Sequence, residues 1–329
     1  FDSNINVWWQ YNKNTKILKI GVNKTDQSNI VTENYTQLPW LRVLGKQADG
    51  SIDANAARAL IKTVDFQSVV RVDNPAQWFE NYTELTEAYV GSMDVSHATS
   101  IKSIFNGCTK LYSISGLGNW DTTNVTDMSN VFNGNVFTNV AGLEKWNNKV
   151  ANVTTIKGMF ANNAFVTTLV GVGGWSLSNC ADFSQAFENC AKLASLDISA
   201  WDMALATSAT QRANMLYGLD ALKELTLGNG TNLADTGLGL SDTTNLPRGE
   251  TYGTWLASRA TATQTGTAEN AWFGTSADLM RRYSNGITFG DDIIYTWKAG
   301  VYGGRIPQAG NPYDDLWWKF TKGTDDATG

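Results

Sequence analysis

His97 is the only histidine in a chain of 329 residues. A Ser-His-Asp or Cys-His site would have to use it as the base that takes the nucleophile's proton. Its place in the sequence favours a turn residue instead, because a better-formed copy of the same segment carries Asn124 there. The three thiols, Cys108, Cys180 and Cys190, are scattered, and with one imidazole they assemble no zinc set. Asp291-Asp292 and Asp314-Asp315 lack the alternating acids and central glycine of a calcium loop, and read as solvated turns. No glycine-rich phosphate cradle follows a strand-like run. The paired acids of a glycoside hydrolase can lie far apart in sequence, so a wall- or glycan-active hydrolase stays open as a lesser reading. Asn23, Asn34, Asn81, Asn124 and Asn152 each head an Asn-x-Thr triplet, which in so Asn- and Thr-rich a chain reads as coincidence. Arg281-Arg282 reads as the wet face of a helix. No catalytic, cofactor-binding or metal-binding residue is assigned, and the expectation is that the protein is not an enzyme.

The elements that would position any surface chemistry are set by internal repetition. Met93, Trp120, Trp146, Trp175 and Trp201 recur at intervals of 27, 26, 29 and 26 residues. Phe79, Phe105, Phe132, Phe160, Phe187 and Met215 recur at 26, 27, 28, 27 and 28. Two independent ladders with one period define a repeat. Its first part, as in Leu193-x-x-Leu196-x-Ile198, reads as a short strand with one buried face. The Trp that follows is too large to leave exposed in every copy, so it should fill the core. Asp94, Asp121, Asn147, Ser176 or Asp202 comes next, as residues that bond their own backbone at turns. Val125-x-x-Met128-x-x-x-Phe132 then has the spacing of one or two helical turns with an apolar stripe. Past each Phe stands Cys108, Asn135, Asn163 or Cys190, an interchange seen in leucine-rich repeats, where the side chain bonds loop backbone.

These parts predict an α/β solenoid of leucine-rich-repeat type, with a parallel sheet on one face, short helices opposite, and capping regions at both ends. Layers about 4.8 Å apart hold Cys108 and Cys190 too distant for a disulfide, so buried free thiols are expected. Residues 1–73 read as the N-terminal cap. Val7–Tyr11 and Ile17–Ile20 form a hairpin there. A helix runs over Asp53–Ile61, with Asp53 as N-cap and Ala56, Ala57, Leu60 and Ile61 inward. Val64–Val72 reads as the first strand of the parallel sheet. Residues 74–228 hold the repeats, 229–298 an irregular segment and C-terminal cap, and 299–329 an aromatic tail. Within the third region, 229–270 reads as a long loop or irregular repeat, Ser276–Tyr283 as a helix capped by Ser276, and Asp292–Trp297 as a strand. Trp317, Trp318 and Phe320 make the tail too aromatic for a free linker.

Composition narrows the partners. With 42% hydrophobic residues the chain can build a large core, so it should be folded and hold together without disulfides. A net charge of -6 is repelled by nucleic acid and anionic lipid. No apolar run reaches membrane-spanning length. No leader opens the sequence and Phe1 is not an initiator Met, so a piece of a longer protein is expected.

Asn119-Trp-Asp-Thr-Thr-Asn-Val-Thr-Asp-Met-Ser-Asn-Val-Phe132 strongly resembles the repeat of BspA-like leucine-rich-repeat surface proteins. Asp94–Phe105 resembles a degenerate copy. Trp9–Ile20 and Pro39-Trp40 resemble the family's N-terminal segment, and Thr275–Gly286 followed by Tyr295–Trp297 the C-terminal cap of lactic-acid bacterial members. The resemblance spans roughly residues 7–300 and implies a secreted adhesin of a Gram-positive bacterium, anchored in the cell wall through parts of a parent chain absent here. It implies a host epithelial surface, an extracellular-matrix protein or a mucin glycoprotein as partner. No cofactor, nucleic acid or membrane insertion is expected, and a monomer is.

A solenoid commonly binds through its sheet. The outward ladder is Glu87, Ser113, Asn139, Thr168, Ser195 and Glu224, with Tyr89, Ser115, Asp197 and Thr226 beside it. These small polar residues suit hydrogen bonding to a protein or glycan, or they only solubilise the sheet. The alternative function is a structural spacer that projects another binding domain. If the surface binds, carboxylate protonation near pH 4–5 should ease contact with an acidic mucosal partner.

Overall fold

In a computed structural model of the chain, residues 7–22, 30–31, 38–239, 253–259, 273–274, 276–284, 292–299, 301–306 and 316–321 are described. The repeats wind into a solenoid, with a parallel sheet along one side and caps at both ends.

At the start, β1 (Val7–Asn12) and β2 (Ile17–Val22) form the expected antiparallel hairpin. The short β3 (Ile30–Val31) follows. Helix α1 (Pro39–Leu44) opens with Pro, whose missing N–H costs nothing at a first turn. It buries Trp40, whose indole N–H donates to the Tyr82 hydroxyl at 2.9 Å. Helix α2 (Ala54–Arg58) is capped by Asp53, whose carboxylate accepts from the N–H groups of Asn55 and Ala56. This helix is shorter than its sequence pattern predicts. Ala57 and Ile61 are buried, whereas Ala56 is exposed and Leu60 only half-buried. The stretch expected as one strand is two, β4 (Thr63–Phe66) and β5 (Val70–Val72), in different sheets with a corner between. Nor is β4 the first parallel strand: β2 pairs parallel with it, so the hairpin itself closes the edge of the sheet.

The sheet continues through β6 (Glu87–Tyr89) and β8 (Ser113–Ser115), while β7 (Met93–Asp94) pairs with β5 and β5 with β3. It then breaks. No strand is assigned at Asn139 or Thr168, and pairing resumes only at β9 (Ser195–Asp197) and β10 (Glu224–Leu227). Single bonds carry the chain across the gap, from Val136 N–H to Leu111 O and from Thr167 N–H to Thr138 O.

The far cap is antiparallel. In the segment expected to be irregular, β11 (Gly253–Arg259) is a strand with Trp255 buried, paired with the short β12 (Phe273–Gly274). Leu233 and Leu238 add a further coil before it. Helix α3 (Ser276–Arg282) leads to β13 (Ile293–Ala299), which lies between β10 and β11. Strands β14 (Val301–Ile306) and β15 (Leu316–Thr321) pair antiparallel, so Trp317, Trp318 and Phe320 stand on a strand.

The coils carry short 3-10 helices at Leu117–Asn119, Leu143–Trp146, Val172–Gly174 and Ala209–Gln211, whereas the stretch expected as a helix, Val125–Phe132, is not helical. In Val125–Phe132 a single-residue parallel bridge at Asp127, joined to Ser100 and Thr155, is followed by consecutive turns from Ser129 on, and Thr155 and Asp182 repeat the bridge in later coils. Alternate N–H groups cross to the next coil: Ser103 to Ser129 O, Phe105 to Val131 O, Gly107 to Asn133 O. Those between close turns within the coil: Ile104 to Ile101 O, Asn106 to Ser103 O, Cys108 to Phe105 O. Residues four apart take left-handed backbone, as in Ser103/Gly107, Asn130/Gly134, Gly158/Asn162 and Gln185/Asn189. An α-helix admits no such residues, and Gly and Asn are the types that tolerate them.

Inside, Phe105, Phe132, Phe160 and Phe187 stack at 5.5 to 6.4 Å between centroids. Trp120, Trp146 and Trp175 stack at 6.2 and 5.9 Å. Each ladder indole donates to the preceding coil: Trp120 to Val90 O, Trp146 to Leu117 O, Trp175 to Leu143 O, Trp201 to Val172 O. Asn135 Nδ2 bonds Phe105 O and Cys108 O, and Asn163 Nδ2 bonds Phe132 O and Phe160 O. The equivalent Cys108 and Cys190 thiols donate to Phe79 O and Phe160 O, each at 3.0 Å.

Candidate functional site: the outward face of the sheet

Strand alternation sends Ala88 and Ile114 into the core and leaves Glu87, Tyr89, Ser113 and Ser115 outward. Glu87 lies opposite Ser113, and Tyr89 opposite Ser115. On the far cap side Ser195 lies opposite Glu224, and Asp197 opposite Thr226. Asn139 and Thr168 are exposed, but they stand on the unpaired coils between. The ten residues therefore form two separate clusters with two isolated members, where sequence reading predicts one continuous ladder.

The N-terminal cluster holds more than the sequence indicates. Tyr112, just before β8, donates its hydroxyl to Glu87 Oε1 at 2.8 Å, and Tyr89 donates to Glu87 Oε2 at 3.2 Å. The two rings are 54% and 44% exposed, so one carboxylate fixes two aromatic faces in solvent. The Glu87 charge, then its hydrogen bond, raises the Tyr89 phenol above its ordinary pKa; for Tyr112 the hydrogen bond to Glu87 is the first cause. Asp65 on β4 pairs in register with Tyr89, and Thr63 with Glu87. Lys19 on β2 is the partner of Asp65 on its other side. The Gln67 amide donates to the Asp65 carboxylate. Placing Lys19 here required knowing that the hairpin joins the sheet. Tyr112 shares the parity of the buried Ile114, so strand alternation gives no sign that it faces out.

The C-terminal cluster is plainer. Asp197 accepts the Ser199 N–H at 2.9 Å, and β13 covers the edge beyond Glu224 and Thr226.

The three thiols are poor nucleophiles where they stand. Burial pushes the Cys108, Cys180 and Cys190 thiols up to about 12, so the thiolate is scarce at neutral pH. His97 Nδ1 lies 3.0 Å from Ser96 Oγ, its chain neighbour. The nearby Asp94 carboxylate accepts the backbone N–H of Ser96, where a triad would need it on the imidazole. Among the described residues no group of three His, Cys, Asp or Glu is placed to hold a metal ion, and no helix is long and apolar enough to cross a membrane. Asn124 Nδ2 and Asn152 Nδ2 donate to Ser96 O and Thr123 O of the preceding coil, so these triplet asparagines hold coils together. A hollow of about 410 Å³ opens between the last coil and α3, lined by Asn214, Asp235, Met280 and Arg281 among others.

The family described as "Mycoplasma protein of unknown function, DUF285" matches residues 99–226, less than half of the chain. No curated protein matches the chain, and no solved structure does.

Proposed function

We propose that this chain is a non-catalytic domain of a bacterial cell-surface adhesin of the BspA-like kind. In this reading it is secreted, held at the wall by other parts of a longer chain, and binds an epithelial, matrix or mucus ligand through its solenoid surface. The observation that carries the reading is the sheet face: rigid strands hold Glu87, Tyr89, Ser113 and Ser115 outward in fixed register. Tyrosine and small hydroxyl residues on a rigid support are what recognition surfaces favour, since little freedom is lost on binding. The buried, protonated thiols and the turn-bound His97 support a non-catalytic role.

Binding of the purified chain to epithelial cells, immobilised matrix proteins and mucin, at pH 7 and pH 4.5, tests it. Saturable binding to one of these, stronger at the lower pH as carboxylates protonate, is the expected result. No binding to any target would leave the solenoid as a spacer that projects a binding domain elsewhere.

A further inference from the structure

Resting on the reading that the sheet is the ligand face, we infer that its N-terminal half, centred on Tyr89, Glu87 and Tyr112, takes the sugar rings of a neutral glycan. Two exposed phenol rings meet at one carboxylate, through bonds of 2.8 and 3.2 Å. Each ring offers a flat apolar face of the kind that stacks on the C–H face of a pyranose. The shared carboxylate holds both rings in place before any ligand arrives. Around them, Thr63, Asp65 and Ser115 supply hydroxyl and carboxylate oxygens on neighbouring strands. Strands lie about 4.8 Å apart, the scale of one sugar ring, so successive rings of an extended chain would meet successive strands.

Charge selects within the class. Asp65 lies beside Lys19 in register, and Glu84 at the border is paired with Lys110 at 2.6 Å. The central groups are acidic acceptors, which repel sialate or sulfate and leave a neutral sugar. A basic peptide is disfavoured for a different reason. Both Glu87 oxygens already accept phenol hydrogens, and Asp65 accepts an amide, so neither is a bare anion waiting for lysine. The C-terminal cluster of Ser195, Asp197, Glu224 and Thr226 has no aromatic residue, and stays outside the site.

The test uses the full chain on immobilised gastric mucin freed of sialic acid, the same mucin after periodate opening of its diols, and a polylysine surface. The parent chain should bind the first, and periodate should abolish binding. The double variant Y89A/Y112A should bind about thirty-fold more weakly or worse with an unchanged melting curve, since both rings are on the surface. Y89F/Y112F keeps the rings but frees them from Glu87, and should bind more weakly than the parent and more tightly than Y89A/Y112A. D197A/E224A should bind as the parent does. Binding that survives periodate, or prefers polylysine and falls with salt, overturns the glycan. Unchanged binding by Y89A/Y112A overturns the site and leaves the adhesin reading standing, as does a parent that binds cells or matrix protein but not mucin. A parent that binds nothing removes both.

Discussion

On the turn side, alternate N–H groups cross from coil to coil without a break from Ser103 to Asn189. On the sheet side, strand pairing stops at Ser115 and resumes at Ser195. The two sides belong to the same coils, and only the turn side keeps one bonding pattern throughout. Beneath the turns lie the stacked Phe ring ladder and the Asn/Cys rungs that bond coil to coil. The solenoid therefore takes its cohesion from the turn side and its core, and the sheet can lose its ladder midway. That leaves the sheet's outward residues free to differ from coil to coil, as a recognition surface requires.

Raising the pH attacks the core from inside and should have the largest effect. A thiol whose folded pKa lies near 12, above its ordinary value near 9, stabilises the fold in full below pH 9. That contribution is lost as pH climbs toward 12, at about 1.4 kcal/mol per pH unit for each thiol. The three together should withdraw several kcal/mol by pH 11, roughly, while acid below pH 9 leaves them untouched. Thermal melts from pH 8 to 11 read this. Cys180→Val, the residue its sibling coils carry as Val125 and Val153, should be tolerated and flatten the fall between pH 9 and 10 by about a third, before the buried Tyr82 phenol, raised by its burial, adds its own share. A flat profile in the parent would contradict the buried thiols.

Trp146→Ala comes next. It removes a ring stacked between Trp120 and Trp175 and leaves Leu117 O without its indole donor, at a cost of about 3–5 kcal/mol in a denaturant melt. A loss under about 1 kcal/mol would show that the coils do not depend on the stack. Asn135→Leu strands two buried carbonyls and should cost about 1–3 kcal/mol. Asn135→Cys should cost less, because Cys108 and Cys190 fill the same rung and because Asn135 Oδ1 accepts no bond from the described protein. If the two variants lose equally, the hydrogen bond is not what the rung supplies. Thr168→Ala, on the broken sheet, should move the same melt by no more than about 0.5 kcal/mol. A larger loss would mean that the gap is held by side chains after all.

The buried ladders were legible in sequence because stacked rungs must be filled alike, coil after coil, with Phe, Trp and Asn or Cys. The turn conformation was not read, since apolar residues three and four apart satisfy a helix and a chain of turns equally. The distinguishing signal was present in Asn130/Gly134, Gly158/Asn162 and Gly107, residues that suit left-handed backbone and would weaken a helix. The break in the sheet left no trace: Leu111–Gly116, Phe137–Gly142 and Val166–Gly171 share one apolar-x-x-apolar pattern. The candidate surface was half legible. Glu87, Tyr89, Ser113 and Ser115 follow from aligning repeats, whereas Lys19 arrives only through the hairpin that joins the sheet.

The bonds that cross between coils run along the axis of the solenoid. A pull on its two ends loads the coil interfaces in series, and the weakest yields first. Each coil that lets go frees about 27 residues, or roughly 90 Å of extended chain, before the next is strained. Pulled as a single molecule, the chain should lengthen in a sawtooth of such steps, and one abrupt rupture of the whole would count against it. A body of this design gives way under load by paying out length, one coil at a time, and keeps its remaining surface folded.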